Sequence, residues 1–190
     1  MINKNDKIIE KAIRDIFIAI GENPDRVGIK GTPERVVRMY KELFRGYDES
    51  QKPKITTFPN DEDGVMYDQM ICDSGIYYSQ CEHHMVPFFG KYYFAYIPDK
   101  ILLGLSKVGR TVDHYSAKLQ IQERLVKEVI DELENACKPK GIALIMKGRH
   151  LCKEMRGAKK YGGEMITSDL RGEFRNSESK AEFLNFVNLK

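Results

Sequence analysis

The sequence predicts an α+β domain. Three observations lead there. Apolar residues recur at helical spacing in several separate segments, and runs rich in β-branched and aromatic residues reach strand length at 66–80, 88–97 and 141–152. Two of the helical segments fall between those runs, so strands pair around two central helices.

The first helix spans 5–20, where Ile8, Ile9, Ala12, Ile13, Ile16, Phe17 and Ile20 follow helical spacing and Gly21 supplies a stop. A second opens at Thr32-Pro33. Threonine can cap the first free N–H groups, and proline fits the first turn because its missing N–H is not needed there. Val36, Val37, Tyr40, Leu43 and Phe44 give that helix one apolar face. Residues 47–64 hold Pro, Asp, Glu, Lys and Asn without a period and read as a partly irregular connector. After the strands at 66–80 and 88–97 come helices over 105–119 and 120–137, the latter with Ile121, Leu125, Val129, Ile130 and Leu133 on one side. Gly141 to Cys152 reads as a buried strand, 164–175 as its hairpin partner and 178–188 as a last short helix. The expected organisation is an N-terminal helical segment and connector, 1–64, followed by a main domain, 65–190.

A chain of 190 residues is long enough to bury a real core. Its net charge of +3 is too small to argue for a nucleic-acid partner. One basic cluster stands out: Lys147, Arg149, Lys153, Arg156, Lys159 and Lys160. It suits either a solvated strand end or a polyphosphate site. The apolar runs are too short to span a bilayer, and the charged N-terminus has no secretory pattern, so a cytoplasmic protein with reduced thiols is expected. Cys72, in a strand-like run, and Cys137, at a helix end, read as small buried hydrophobes.

The other two cysteines sit beside histidines. Five of the eight Cys and His residues fall in Cys81-Glu82-His83-His84 and His150-Leu151-Cys152. Thiolates with imidazoles are a ligand set suited to zinc. Cys81 and His84 are three apart, so one tight turn can aim both at one ion. His150 and Cys152 are two apart on a predicted strand and share a face. Two arrangements remain open on spacing alone. Four ligands (Cys81, His84, His150 and Cys152) would close a structural staple, as in a module that binds nucleic acid or another partner through the basic stretch. Three ligands plus water would make a catalytic centre, with the remaining histidines free to shuttle protons near neutral pH. The sequence lacks HExxH and the PCxxC of zinc nucleobase deaminases.

Two further groups suit a nucleotide. Gly104 to Arg110 leads into a predicted helix with Ser106 as its cap, and Lys107 and Arg110 share a face, which suits an anion as well as an ordinary solvated helix start. Gln122-Glu123 lies off the apolar stripe of its helix. A solvated face explains the pair; so does a carboxylate opposite the N1 and N2 donors of guanine.

In order along the chain, TPERVVRMY at 32–40, CEHHMVPFFG at 81–90, GLSKVGR at 104–110, LQIQERL at 119–125, and HLC with Met155-Arg156-Gly157 resemble the GTP cyclohydrolase I family. The similarity spans roughly residues 25–175. The resemblance implies a tunnelling fold over 65–190, Zn²⁺ held by Cys81, His84 and Cys152, and His83 and His150 as catalytic residues. It also implies Ser106, Lys107, Arg110 and Arg156 on the triphosphate and Gln122 and Glu123 on guanine. The implied activity is hydrolytic opening of the GTP imidazole ring at C8, formate release and rearrangement to 7,8-dihydroneopterin triphosphate, the first step of pterin and folate synthesis. A cytoplasmic homodecamer with interface active sites is expected, with neither nucleic acid nor membrane as partner. Another purine or pterin enzyme of the same fold would not need the GLSK..R cations. Three departures stand out: Lys118 where arginine is usual, Lys153-Glu154 in place of a methionine-rich pair, and Val27 in place of an acidic residue.

Overall fold

The structure is a computed structural model that describes residues 4–62 and 64–188. The chain separates into two compact units, one up to Arg45 and one from Gly46 onward.

The N-terminal unit is a helix pair, α1 (Lys4–Ala19) and α2 (Thr32–Leu43). Gly21 follows α1 at φ +85°, a conformation that glycine adopts without the Cβ penalty. Ile9, Ile13 and Phe17 are half-buried, whereas Ile8, Ile16 and Ile20 stay exposed. Lys41 reaches the buried Asp6 at 2.8 Å. The predicted threonine cap is not made: Gly31 occupies the cap position with no side-chain bond, and Thr32 is already helical, with Pro33 in the first turn.

The second unit carries the sheet. Its strands are β1 (Thr57–Pro59), β2 (Ile71–Cys81), β3 (Pro87–Ile97), β4 (Ile101–Leu103), β5 (Leu119–Gln120), β6 (Gly141–His150) and β7 (Met165–Gly172). Five of them form one sheet in the order β5-β2-β3-β6-β7, antiparallel except for the short parallel pairing of β5 with Gln80 and Cys81. β1 and β4 form a separate two-stranded ribbon. The helices are α3 (Lys107–Ser116), α4 (Gln122–Cys137), the short α5 (Leu151–Glu154) and α6 (Ser177–Asn188).

Alternation along β3 sorts the core into two. Tyr92, Phe94 and Tyr96 pack with Leu125, Val129, Ile130 and Leu133 of α4 and Val108 and Val112 of α3. The intervening Tyr93, Ala95 and Ile97 pack on the opposite face with Phe174, Phe183 and Val187. This is the period-two geometry of a strand buried on both faces. The α+β expectation holds, with α3 and α4 as the central helices.

Several predicted boundaries move. The strand expected from 66 begins at Ile71. The helices expected at 105–119 and 120–137 are α3 and α4, separated by β5, because Leu119 and Gln120 pair with the end of β2. The strand expected to run to Cys152 stops at His150. Its ladder with β3 ends at the Phe88–His150 pair, and β7 reaches only as far as Gly148. Without a partner strand, residues 151–154 satisfy their backbone locally, with Met155 N–H donating to the Leu151 carbonyl at 2.9 Å.

Candidate metal centre and flanking site

The first metal motif sits on the turn from β2 to β3. Cys81 ends β2, and its N–H and carbonyl close the turn with Val86 O (3.0 Å) and Met85 N–H (2.8 Å). Met85 takes φ +52°, a left-handed conformation that costs a non-glycine residue about 1–2 kcal/mol. This is local strain stored beside the motif. The Glu82 N–H donates to the Gln120 carbonyl at 3.0 Å, and the Glu82 carboxylate pairs with Arg124 of α4. Sequence reasoning passed over Arg124, although it lies inside the LQIQERL run.

The second motif sits at the corner from β6 into α5. Cys152 belongs to the helical turn, so it and His150 do not share a strand face as the spacing suggested. Arg149 and Glu154 flank the corner and are joined by two bonds, Nε–Oε1 at 3.1 Å and Nη2–Oε2 at 2.6 Å. Glu154 is buried, and the guanidinium supplies the charged partner that a buried carboxylate requires. The unusual Lys153-Glu154 pair is thus accommodated by a residue three positions before Cys152. Lys118 lies 5.0 Å over the Tyr115 ring and 3.7 Å from Glu49.

Cys81, His84 and Cys152 present ligand atoms that all lie within 4.8 Å of one another, and among the described residues they form the one such group. Zinc bonds of about 2.0–2.3 Å put two ligands of one ion at most about 4.6 Å apart, so slight closure lets these three share an ion. His150 is outside the group. Its ring stacks on Phe88 (centroids 4.6 Å, planes 8° apart) and its Nε2 lies 2.9 Å from Gln122 Oε1. The four-ligand staple therefore lacks its fourth member. Exposed His83 has Nδ1 3.9 Å from the Cys81 sulfur, beside the group.

Burial and the adjacent Cys81 sulfur push the Cys152 thiol above its ordinary value, so taking up a cation here displaces a proton. Burial also lowers His150 below the usual histidine range, against the opposing charge of Glu123. Its ring is consequently neutral near pH 7.

Cys81, His83, His84, Gln122, Glu123, His150, Cys152 and Arg156 gather at one end of the sheet. Arg156 Nη1 lies 2.7 Å from His84 Nε2. Ser106, Lys107 and Arg110 do not join them. They open α3, whose Gly109 packs near the Tyr92 hydroxyl, and Tyr92 pairs with Gly75 on β2. From Gly75 to Cys81 the strand runs about 20 Å at roughly 3.3 Å per residue. Ser106 holds the cap position in αR geometry with no capping bond, contrary to expectation. Of the basic cluster, Lys147 covers the Tyr93 ring at 5.3 Å and Arg149 is committed to Glu154.

Two thiols and an imidazole lie close enough that they could hold one soft metal ion, with two further imidazoles alongside, at the end of an α+β sheet. Comparison with known proteins specifies it further. The family model for GTP cyclohydrolase I matches residues 9–188. GTP cyclohydrolase 1 of Thermoanaerobacter pseudethanolicus is 46% identical over 193 residues, covering 100% of both chains. That of Sulfurihydrogenibium sp. is 44% identical over 190 residues, covering 99% of this chain and 97% of the relative. A solved apo archaeosine synthase QueF-Like aligns over 54% of this chain and 93% of its own, at 16% identity and TM-score 0.47. The chain belongs to the GTP cyclohydrolase I family.

Proposed function

We propose that this chain is a GTP cyclohydrolase I that hydrolytically opens the imidazole ring of GTP at C8, releases formate and rearranges the ribose to give 7,8-dihydroneopterin triphosphate. The observation that carries the reading is the three-residue ligand group with His150 held beside it and outside it. Cys81, His84 and Cys152 would hold zinc, which their soft sulfur donors favour. Bound there, zinc would supply a Lewis acid and a water of near-neutral pKa.

The chain's own residues then divide the work. Exposed Glu123 accepts from N1–H and N2–H of guanine, since an ionised carboxylate only accepts. As water adds at C8, His150 takes up the proton released and passes it to N7, and His83 serves the later transfers. Arg156, Ser106, Lys107 and Arg110 hold the triphosphate. Remote binding of base and phosphates fixes C8 over the centre, where much of the rate arises. Incubating the zinc-loaded protein with GTP yields formate and, after oxidation, a fluorescent pterin. A protein that holds zinc and makes neither is not this enzyme.

A single chain separates its α3 cations from its metal end by about 20 Å of strand. We infer that a complete site takes Ser106, Lys107 and Arg110 from a second copy, within a homodecamer. Open sheet edges support this reading: among the described residues β7 pairs on one side only, and so does β2 before Gln80. Exposed Ile76 and Tyr78 lie on β2 and Ile166 on β7. The check is complementation. Cys152→Ser chains and Arg110→Ala chains, each inactive alone, regain activity when unfolded and refolded together, because some interfaces then combine two intact halves. Independent sites within each chain would give no recovery.

Among the described residues no helix is long and apolar enough to cross a membrane. We place the enzyme in the cytoplasm, where its thiols stay reduced.

A further inference from the structure

Gln122 is matched to the guanine site by family resemblance, yet its side chain is turned inward. The residue is 1% exposed. Its amide nitrogen donates toward Met146 O (3.0 Å), Met165 O (3.1 Å) and Thr167 Oγ1 (2.9 Å). Backbone carbonyls only accept, so the amide cannot be flipped without facing two acceptors with a third. Oε1 must therefore point the other way, where it meets the Tyr77 hydroxyl at 3.0 Å and His150 Nε2 at 2.9 Å.

An amide oxygen also only accepts. The His150 nitrogen facing it accordingly carries the proton, and Nδ1 is the nitrogen left to exchange one with substrate. Tyr77 cannot compete for that role as an anion, because burial pushes its hydroxyl well above the ordinary phenol range and keeps it a donor. The close approach is built in: a Cβ on Gly148 of β6 would collide with both the Tyr77 hydroxyl and Gln122 Oε1. Phe88 stacks flat on the imidazole and fixes its plane.

We propose that Gln122 is the positioning residue of His150: its amide, clamped by Met146, Met165 and Thr167, pins His150 Nε2–H and presents Nδ1 to the substrate. Recognition of guanine is left to the exposed neighbour Glu123. The inference rests on the GTP cyclohydrolase reading, and the test separates the two.

Zinc content, KM for GTP and kcat are measured for wild type, Gln122→Met and Gln122→Glu. Gln122→Met has nearly the same length but offers His150 only a weak thioether acceptor in place of the amide oxygen. Its kcat is expected to fall about 100-fold, at the upper end for loss of an orienting partner, with KM within about threefold and zinc unchanged. Gln122→Glu, protonated in its buried setting, keeps one oxygen for His150 and one O–H for a carbonyl. It is expected to recover at least about tenfold in kcat over Gln122→Met. A raised KM with kcat intact would mark Gln122 as a guanine contact and overturn the proposal. So would loss of zinc together with kcat, or a Gln122→Glu variant no better than Gln122→Met. If Gln122→Met does not fold, Thr167→Val on β7 replaces it: kcat should fall about threefold with KM unchanged, and Thr167→Ser should restore it. Unchanged kcat in Thr167→Val would then count against the proposal. A wild type without GTP turnover defeats the functional reading instead.

Discussion

Cys152→Ser is expected to lose the metal. Zinc per chain, measured on the purified protein, falls from about one to under about a tenth, and GTP turnover falls at least about 1,000-fold, because a closed set of three ligands has none to spare. Cys152 lies on a single helical turn, and its sulfur must come within bonding distance of an ion shared with buried Cys81 and with His84 on the facing turn. Serine retains the size but offers a hydroxyl that does not ionise near neutral pH, so a soft anionic donor is exchanged for a neutral hard one. Cys72→Ser is the control. Its thiol is pushed up to about 11, chiefly by burial, and stands outside the ligand group, so zinc and turnover should both persist. Full zinc content in Cys152→Ser would remove the metal centre from this corner.

His150→Ala is expected to keep its ion and lose its chemistry. General acid–base catalysis contributes about 100- to 10,000-fold, so kcat should drop within that range while zinc content stays at the wild-type level. The geometry separates the two properties. His150 Nε2 is engaged by Gln122 and its ring lies on Phe88, whereas the ligand group closes without it. Replacing the imidazole by a methyl group leaves Gln122 Oε1 the Tyr77 hydroxyl as donor, so the amide keeps a partner and the fold should tolerate the change. Loss of zinc in this variant would instead make His150 a ligand and restore the four-ligand staple.

Much of this was legible before any coordinates. Rare residue types in two short motifs singled out Cys81, His84, His150 and Cys152 as candidate ligands, and three of them, Cys81, His84 and Cys152, do converge. Strand alternation and helical spacing were visible because burial imposes a period on the chain, as at Tyr92, Phe94 and Tyr96 against Leu125 and Val129. Less was legible wherever long-range pairing decides. That β6 stops at His150 depends on where β3 begins, 50 or more residues earlier, and no local spacing around Cys152 reports it. The cap assigned to Ser106 failed for a similar reason: capping depends on the backbone angles of one residue, which the surrounding ribbon and helix set.

The sequence by itself determined the chemistry available: which side chains can bind a soft metal, carry protons near neutrality or hold phosphate. Only the tertiary structure decided how those groups are shared out. It turned Gln122 inward onto His150 and left Glu123 exposed. It tied Glu82 to Arg124 and Glu154 to Arg149. It also packed α3 beside Tyr92 and Gly75, some six strand residues away from the metal end. The physical reason is that ligand chemistry belongs to a residue type and can be read one letter at a time. Direction and separation belong to hydrogen-bond partners on other strands and helices, which come together only when the chain has folded.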